Sequence, residues 1–163
     1  MNKIIDYILK EAFIVECVKS KKITWIVPKL NEEIGEYFEN DYAKKFLKSK
    51  GIVFKSDDDI LLFLGNGKLV SITRDELIKK FNNLTLTYSD FMDELKDPEY
   101  KKSFESMEKK LKNDGIITLP APIVLKIKGE YYGFSGNRRM NLAFKNNIQL
   151  KIWLVEVKIK NDN

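Results

Sequence analysis

The order of apolar segments between residues 122 and 157 constrains the fold more than any other feature of the chain. PIVLKIK (122–128) and YYGFS (131–135) are typical of strands, and Gly129-Glu130 between them predicts a tight turn. NRRMNLAFKNN (137–147) has apolar residues at helical spacing, and QLKIWLVEVKI (149–159) predicts a final strand. Because these segments can bury their apolar sides only against one another, we expect an α+β fold with a small mixed β-sheet and flanking helices.

The rest of the chain carries signals for further helices and strands. Cap residues, prolines and Gly65-Asn66-Gly67, a strong hairpin signal, set the expected boundaries. In the first fifty residues we expect a helix over 2–11, strands over 13–18 and 23–28 with a basic turn between them, and a helix from Asn31 to Lys48 capped by Asn31. Strands over 51–54, 59–65 and 68–73 follow, with a turn at 57–59. The next expected elements are a helix from Thr73 to Phe81, a segment capped by Ser89, and a helix from Pro98 to Asn113 closed by Asp114-Gly115. Residues 84–163 are expected to form one domain. Residues 1–83 form either an α+β extension or part of one continuous fold, and the sequence does not separate these.

The absence of histidine excludes several kinds of chemistry. Histidine-based zinc sites, Ser-His-Asp and Cys-His catalysis, and general acid–base work by histidine all require a residue that this chain lacks. Cys17 is the only cysteine, so no intramolecular disulfide forms. Any metal is then held by carboxylates and is a hard cation such as Mg²⁺. Cys17, Trp25 and Trp153 are expected in the core.

The composition is that of a soluble globular protein, with 44% hydrophobic and 33% charged residues. No apolar run approaches the roughly 20 residues that span a bilayer. The first segment is interrupted by charged residues and has no small-residue cleavage site after it. We therefore expect a cytoplasmic location and no membrane partner.

The distribution of basic residues sets one arginine pair apart. The formal charge of +5 comes from lysines that are spread among acidic residues, which is typical of a solvated surface. Against 26 lysines there are only three arginines, and two of them are Arg138 and Arg139. The planar guanidinium of arginine can donate two parallel hydrogen bonds to a phosphate, which a lysine ammonium does not match.

The turn from Ser135 to Arg139 has the chemistry of an anion site. Gly136 removes a Cβ that would keep a ligand from the backbone, and the first amides of the next helix have no intrahelical partner. Arg138 and Arg139 add charge-assisted donors, and Ser135 adds a hydroxyl. The same pattern also fits an ordinary strand-to-helix turn whose arginines face water. The residues alone leave both interpretations open.

A longer tract, residues 104–156, resembles the ParB/sulfiredoxin-like superfamily. The shared elements run through LKNDG (111–115), Pro122-Ile123, Tyr131-Tyr132, Gly136-Asn137-Arg138-Arg139, an alanine-containing helix and a last strand. The resemblance implies a nucleotide, CTP or ATP, with its phosphates on the glycine–arginine turn. It assigns Gly136, Arg138 and Arg139 as phosphate ligands, adds Ser135 and Asn137, and gives Thr118, Leu119 and Pro122 as the nucleotide loop.

Departures from the family pattern narrow what the resemblance implies. Asn137 and Arg138 occupy the positions of the sulfiredoxin cysteine and histidine, so sulfinic acid reduction is not expected. Ala121-Pro122 stands where ParB proteins carry Gln-Pro, which leaves the choice between CTP and ATP open. No helix-turn-helix pattern follows the motif, so a centromere-binding clamp is not expected.

Catalysis would need a carboxylate near the phosphates, and Glu105 and Glu108 are the candidates as base or Mg²⁺ ligands. Their spacing of one helical turn equally fits a solvated face paired with neighbouring lysines. Of Tyr131 and Tyr132, one is expected in the core and the other near the site or stacked on a base.

Two classes of function remain open from the sequence. The first is an enzyme of phosphoryl transfer or nucleotide hydrolysis that uses ATP or CTP with Mg²⁺. The second is a non-enzymatic module that binds a nucleotide, DNA or a protein partner through the basic turn. Small superfamily members encoded by AT-rich genomes are typical of phages and mobile elements. The resemblance therefore also leaves open a role in interference with host defence.

Overall fold

The computed structural model describes residues 20–35, 41–80 and 95–158, and all structural statements below concern these ranges. Two sheets and six helices lie within them, so the expected α+β class is confirmed. The elements in chain order are β1 (Lys22–Ile26), α1 (Leu30–Glu33), α2 (Asp41–Ser49), α3 (Asp57–Gly65), β2 (Lys68–Ile72), α4 (Arg74–Lys80), α5 (Pro98–Asp114), β3 (Ile116–Pro120), β4 (Ile123–Ile127), β5 (Glu130–Ser135), α6 (Asn137–Lys145) and β6 (Leu150–Val157).

The larger sheet has four strands in the order β2-β6-β4-β5. Strands β4 and β6 are parallel, whereas β2 and β5 pair antiparallel with their neighbours, so the sheet is mixed as expected. Strands β1 and β3 form a second, parallel sheet of two strands. The amide of Ala121, directly after β3, donates to the carbonyl of Ile26 at 2.8 Å and extends this pairing to within two residues of the start of β4.

Apolar side chains cover both faces of the four-stranded sheet. Strand β4 is buried on both sides, with Val124 facing one core and Leu125 the other. The first core contains buried residues of α4, α5, α6 and the small sheet; the second contains residues of α1, α2 and α3. Tyr131 and Tyr132 lie in opposite cores, and Trp25 is buried in the first. Trp153 packs on the second and is half-buried.

The secondary structure from residue 51 to residue 67 differs from the sequence-based expectation. Residues 51–54 form no strand, and DILLFLG is the helix α3 rather than a strand. The hydroxyl of Ser56 accepts the amide of Asp59 and caps this helix, whose first turn contains three aspartates. Gly65-Asn66-Gly67 is consequently a helix-to-strand connection and not a hairpin. Residues 57–59 begin the helix instead of forming a separate turn.

The expected single helix from Asn31 to Lys48 is also wrong in its extent and in its first residue. The structure has α1 at Leu30–Glu33 and α2 at Asp41–Ser49, with residues 36–40 outside the described ranges. Lys29 is the N-cap of α1, so the expected cap, Asn31, lies inside the helix. The helix begins before Asn31 because Lys29, directly after Pro28, is the last residue in an extended conformation.

Several other helix and strand boundaries agree closely with those predicted from the sequence. Thr73 caps α4, Asp97 and Pro98 begin α5, and Gly115 ends α5 in the left-handed region at φ 72°. The turn between β4 and β5 comprises Lys128 and Gly129, while Glu130 already belongs to β5. The expected elements at 2–11 and 13–18, Cys17 and the segment capped by Ser89 lie outside the described residues.

Strands from the first 83 residues pair with strands from the rest of the chain. β1 pairs with β3 along its length, and β2 pairs with β6. The expected domain boundary at 83/84 lies within residues 81–94, outside the described ranges. In the part of the chain that the structure covers, no helix is long and apolar enough to cross a membrane.

Candidate functional site

A cavity of about 500 Å³ opens beside the glycine–arginine turn. Four elements contribute lining residues: α1, one face of α5, the end of β3 and the N-terminus of α6. Its size is in the usual range of about 300–1,000 Å³ for small-molecule sites. The lining residues are Glu32, Glu33, Tyr100, Ser103, Met107, Pro120, Gly136, Asn137, Arg138 and Arg139.

Gly136 turns the chain from β5 into α6 in the left-handed region, at φ 92° and ψ 27°. A Cβ at this position would lie 2.9 Å from the Cα of Pro122 and 2.9 Å from Nη2 of Arg139. The glycine is therefore required by its own neighbours, whether or not a ligand approaches. The first hydrogen bond of α6 runs from the amide of Met140 to the carbonyl of Gly136, so the amides of residues 137–139 precede the helical ladder.

Arg139 is held by groups of the protein itself. Its Nη2 donates to Oε2 of Glu33 at 2.8 Å, and its Nη1 donates to the carbonyl of Pro120 at 2.9 Å. The hydroxyl of Ser135 donates to the same Glu33 oxygen. The side chains of Arg139 and Glu33 are only 12% and 11% exposed, so this ion pair is largely shielded from water.

Arg138 has a different environment. Its guanidinium carbon lies 5.1 Å from the centroid of the Tyr100 ring, which is the geometry of a cation–π contact. Among the described residues, no carboxylate forms an ion pair with Arg138. No described carboxylate therefore cancels the positive charge of Arg138, which lies at the cavity wall.

Helix α5 supplies the opposite wall. Tyr100, Ser103 and Met107 line the cavity at a spacing that places them on one face of the helix. Phe104 and Leu111, at other positions of α5, are buried in the first core and hold the helix in place. This wall consequently consists of an aromatic ring, a hydroxyl and a thioether, those of Tyr100, Ser103 and Met107.

Two glutamates of α1 bring negative charge to the cavity. Glu32 pairs at 3.2 Å with Lys29, and both side chains are well exposed. Glu33 uses one oxygen, Oε2, for Arg139 and Ser135, and no described residue hydrogen-bonds to its Oε1. The sequence contains no local signal that links Glu33 to Arg139.

The structure brings some of the expected site residues together and separates others. Gly136, Asn137, Arg138 and Arg139 line the cavity, whereas the buried Ser135 is bonded to Glu33. The expected nucleotide loop is different in form. Thr118 and Leu119 lie in strand β3, with Leu119 facing the first core and Thr118 exposed on the other side. Pro122 contacts the Gly136 turn from behind.

The two catalytic candidates lie on α5 outside the cavity lining. Glu105 is exposed and lies 3.9 Å from Lys101, and Glu108 pairs with Lys145 of α6 at 2.7 Å. Neither Tyr131 nor Tyr132 lines the cavity, because both are buried in the cores. Within the described ranges, no group of three or more potential ligands is placed to hold a metal ion.

Comparison of the chain with protein-family models, curated proteins and solved structures gives no match. The function is therefore inferred from the geometry of the site, and the resemblance to the ParB/sulfiredoxin-like superfamily stays an expectation from sequence.

Proposed function

We propose that this protein binds a nucleotide, ATP or CTP, with a phosphate group against the N-terminus of α6 and Arg138. The observation that carries the proposal is the position of Arg138, which has no carboxylate partner among the described residues and lines a cavity beside the first amides of α6. The positive end of the helix dipole, these amides and a guanidinium together favour a phosphate oxygen.

A nucleotide fits this cavity better than a small anion does. The volume of about 500 Å³ exceeds what one phosphate needs, and the opposite wall contains Tyr100 and Met107. The thioether of Met107 suits the flat, weakly polar face of a base, while the ring of Tyr100 already carries the guanidinium of Arg138 on one face. The sequence resemblance supports the same ligand class, with ATP and CTP as its two members.

Phosphoryl transfer or nucleotide hydrolysis would require a carboxylate and a divalent ion at the same place. Glu32 and Glu33 line the cavity, unlike Glu105 and Glu108. Mg²⁺ is commonly held by one or two carboxylates together with the phosphates of the substrate. Glu32 is accordingly the first residue to substitute once turnover has been measured, because substitution of Glu33 also breaks its ion pair with Arg139.

Thermal unfolding in the presence of ATP, ADP, CTP or GTP, with and without Mg²⁺, tests the proposal. A nucleotide at 100 times its dissociation constant stabilises the folded protein by about 2.7 kcal/mol, which is a measurable shift in Tm. We expect a shift for wild type that is lost in Arg138→Ala. Arg74→Ala is the matched control, because Arg74 also lies over an aromatic ring, that of Phe144, but lines a different pocket.

A second candidate function is binding of DNA or of a protein partner without catalysis. The observation that favours it is the net charge of +5, with lysines exposed along α5. DNA binding of this kind would weaken steeply as salt concentration rises, and a filter-binding series in NaCl measures that slope. If no nucleotide shifts the Tm and DNA binds with such a slope, this second function replaces the first.

A further inference from the structure

The two neighbouring arginines of α6 differ in what neutralises them. Arg139 is bonded to Glu33 and to the carbonyl of Pro120, and its side chain is 12% exposed. Arg138 instead lies over the face of the Tyr100 ring, 5.1 Å from its centroid. A ring holds a guanidinium without removing its charge, whereas a carboxylate cancels that charge.

We propose that Tyr100 is a positioning residue for Arg138, and that Arg138, not Arg139, is the arginine that contacts the anionic group of the ligand. This inference rests on the proposed function. It also assigns Arg139 a structural role, because Arg139 joins α6 to α1 through Glu33.

The contact with Tyr100 explains how Arg138 is prepared to bind. A mobile arginine side chain loses conformational entropy when it binds a ligand, and a side chain that is already restrained loses less of it. Stacking occupies the flat face of the guanidinium and leaves the N–H groups at its edge for bidentate contact with phosphate. Tyr100 is itself fixed by α5, since Phe104 and Leu111 of that helix are buried in the first core.

The first test needs no ligand. The chain contains three arginines, Arg74, Arg138 and Arg139, so its NMR spectrum of arginine Nε–Hε groups has three signals to assign. We expect the Hε of Arg138 to be shifted by the Tyr100 ring current in wild type and in Tyr100→Phe, but not in Tyr100→Leu. The Arg74 signal should stay unchanged in both variants. An Arg138 signal that is unshifted in wild type, or unaffected by Tyr100→Leu, overturns the positioning role.

The second test measures affinity by titration calorimetry with Mg-ATP, Mg-CTP and inorganic pyrophosphate. Tyr100→Leu should weaken binding about two- to tenfold, whereas the separate variant Tyr100→Phe should bind as wild type does, because the ring is kept. Arg138→Ala should weaken binding more than about tenfold, and Arg74→Ala should leave it unchanged. Melting curves of each variant identify any loss of binding that comes from unfolding.

The outcomes separate this inference from the proposed function. If wild type binds a nucleotide and Arg138→Ala binds it equally well, the assignment of Arg138 is wrong in both proposals, while nucleotide binding by the protein itself stands. If wild type binds none of the three probes, the proposed function fails and the ligand role of Arg138 fails with it. The ring-current measurement then still decides whether Tyr100 holds Arg138.

Discussion

Glu33 and Arg139 are 106 residues apart in the chain, yet Oε2 of the first and Nη2 of the second are 2.8 Å apart. The pair connects the short helix α1 to the N-terminus of α6, and Ser135 bonds to the same glutamate oxygen. The walls of the cavity that α1 and α6 supply are therefore held together by one shielded ion pair. Loss of either partner should affect both stability and the cavity.

Breaking this ion pair should destabilise the protein. Arg139→Ala leaves the Glu33 carboxylate without its partner in a largely shielded position; loss of one partner costs about 3–5 kcal/mol in a fully buried pair, so a loss of about 3 kcal/mol is expected here, where the two side chains are 12% and 11% exposed. Glu33→Ala should cost a similar amount because it leaves Arg139 unpaired. Urea unfolding followed by circular dichroism measures both. The double variant Glu33→Ala/Arg139→Ala should be less destabilised than the sum of the two single variants.

Glu105→Ala is the matched control for that experiment. Its carboxylate lies 3.9 Å from Lys101, and both side chains are more than half exposed. An exposed pair of this kind is worth about 0–1 kcal/mol, so the variant should unfold close to wild type. Equal losses in Glu105→Ala and Glu33→Ala would contradict the structural role of the Glu33–Arg139 pair.

Gly136→Ala should destabilise the protein more than Gly129→Ala does. Both glycines have positive φ, 92° and 84°, so each alanine costs about 1 kcal/mol or more in backbone strain. At Gly129 the added Cβ meets open space, whereas at Gly136 it lies 2.9 Å from the Cα of Pro122. The clash should add about 1–3 kcal/mol in urea unfolding. Equal losses at the two positions would show that Pro122 moves away freely.

Gly67→Ala should displace the indole of Trp153. A Cβ at Gly67 would overlap Nε1 of Trp153, the atom that donates to the carbonyl of Leu64 at 2.8 Å. We expect a loss of about 1–3 kcal/mol and a changed tryptophan emission spectrum. Gly65→Ala is the control: its Cβ meets nothing within 4 Å, and alanine at a helical position should stabilise by up to about 1 kcal/mol. A stable Gly67→Ala protein with unchanged emission would contradict this contact.

Acid should weaken the cap of α4. The amide of Thr73 donates to Oε2 of Glu76, and this bond, followed by that from the Thr73 hydroxyl, lowers the pKa of Glu76 below its ordinary value of 4.5. Because the folded pKa is the lower one, the contribution is present above pH 4.5 and is lost as pH falls through the folded value. Wild type should thus exceed Glu76→Gln in stability at pH 7, and the two should converge in acid.

Urea midpoints measured from pH 7 to pH 3 check this convergence. Glu105→Gln serves as the control, since its carboxylate accepts no bond from a helix cap, and its curve should run parallel to that of wild type. A gap between wild type and Glu76→Gln that stays constant over the whole range would show that the ionised carboxylate of Glu76 contributes nothing to the cap.

The later elements of the fold were predictable because local signals and packing agree there. Asp97-Pro98 and Gly115 give both ends of α5, and short runs rich in apolar residues between turn signals give β4, β5 and β6. Helix α3 was predicted wrongly because five consecutive apolar residues, 60–64, fit a buried strand as well as a helix. The deciding signal was Ser56 followed by three aspartates, which is a helix N-terminus.

The site was predictable only in the part that is continuous in sequence. Gly136, Arg138 and Arg139 are neighbours, so their common position followed from the turn alone. Glu33 comes from a distant segment, and a single sequence contains no signal that pairs it with Arg139. The same limit applies to Tyr100, because its contact with Arg138 depends on how α5 packs beside α6.

The order of strands in the larger sheet has a consequence for synthesis on the ribosome. β6 is the last described strand to be made, but it lies between β2 and β4. Lys68 therefore emerges more than eighty residues before Leu154, its partner in the sheet. Until β6 arrives, the nascent chain exposes β2 with no neighbouring strand, which is the kind of edge that chaperones protect. Assembly of the sheet is consequently a late event, and a ribosome that stalls before residue 150 leaves a chain whose β2 cannot join β4 and β5.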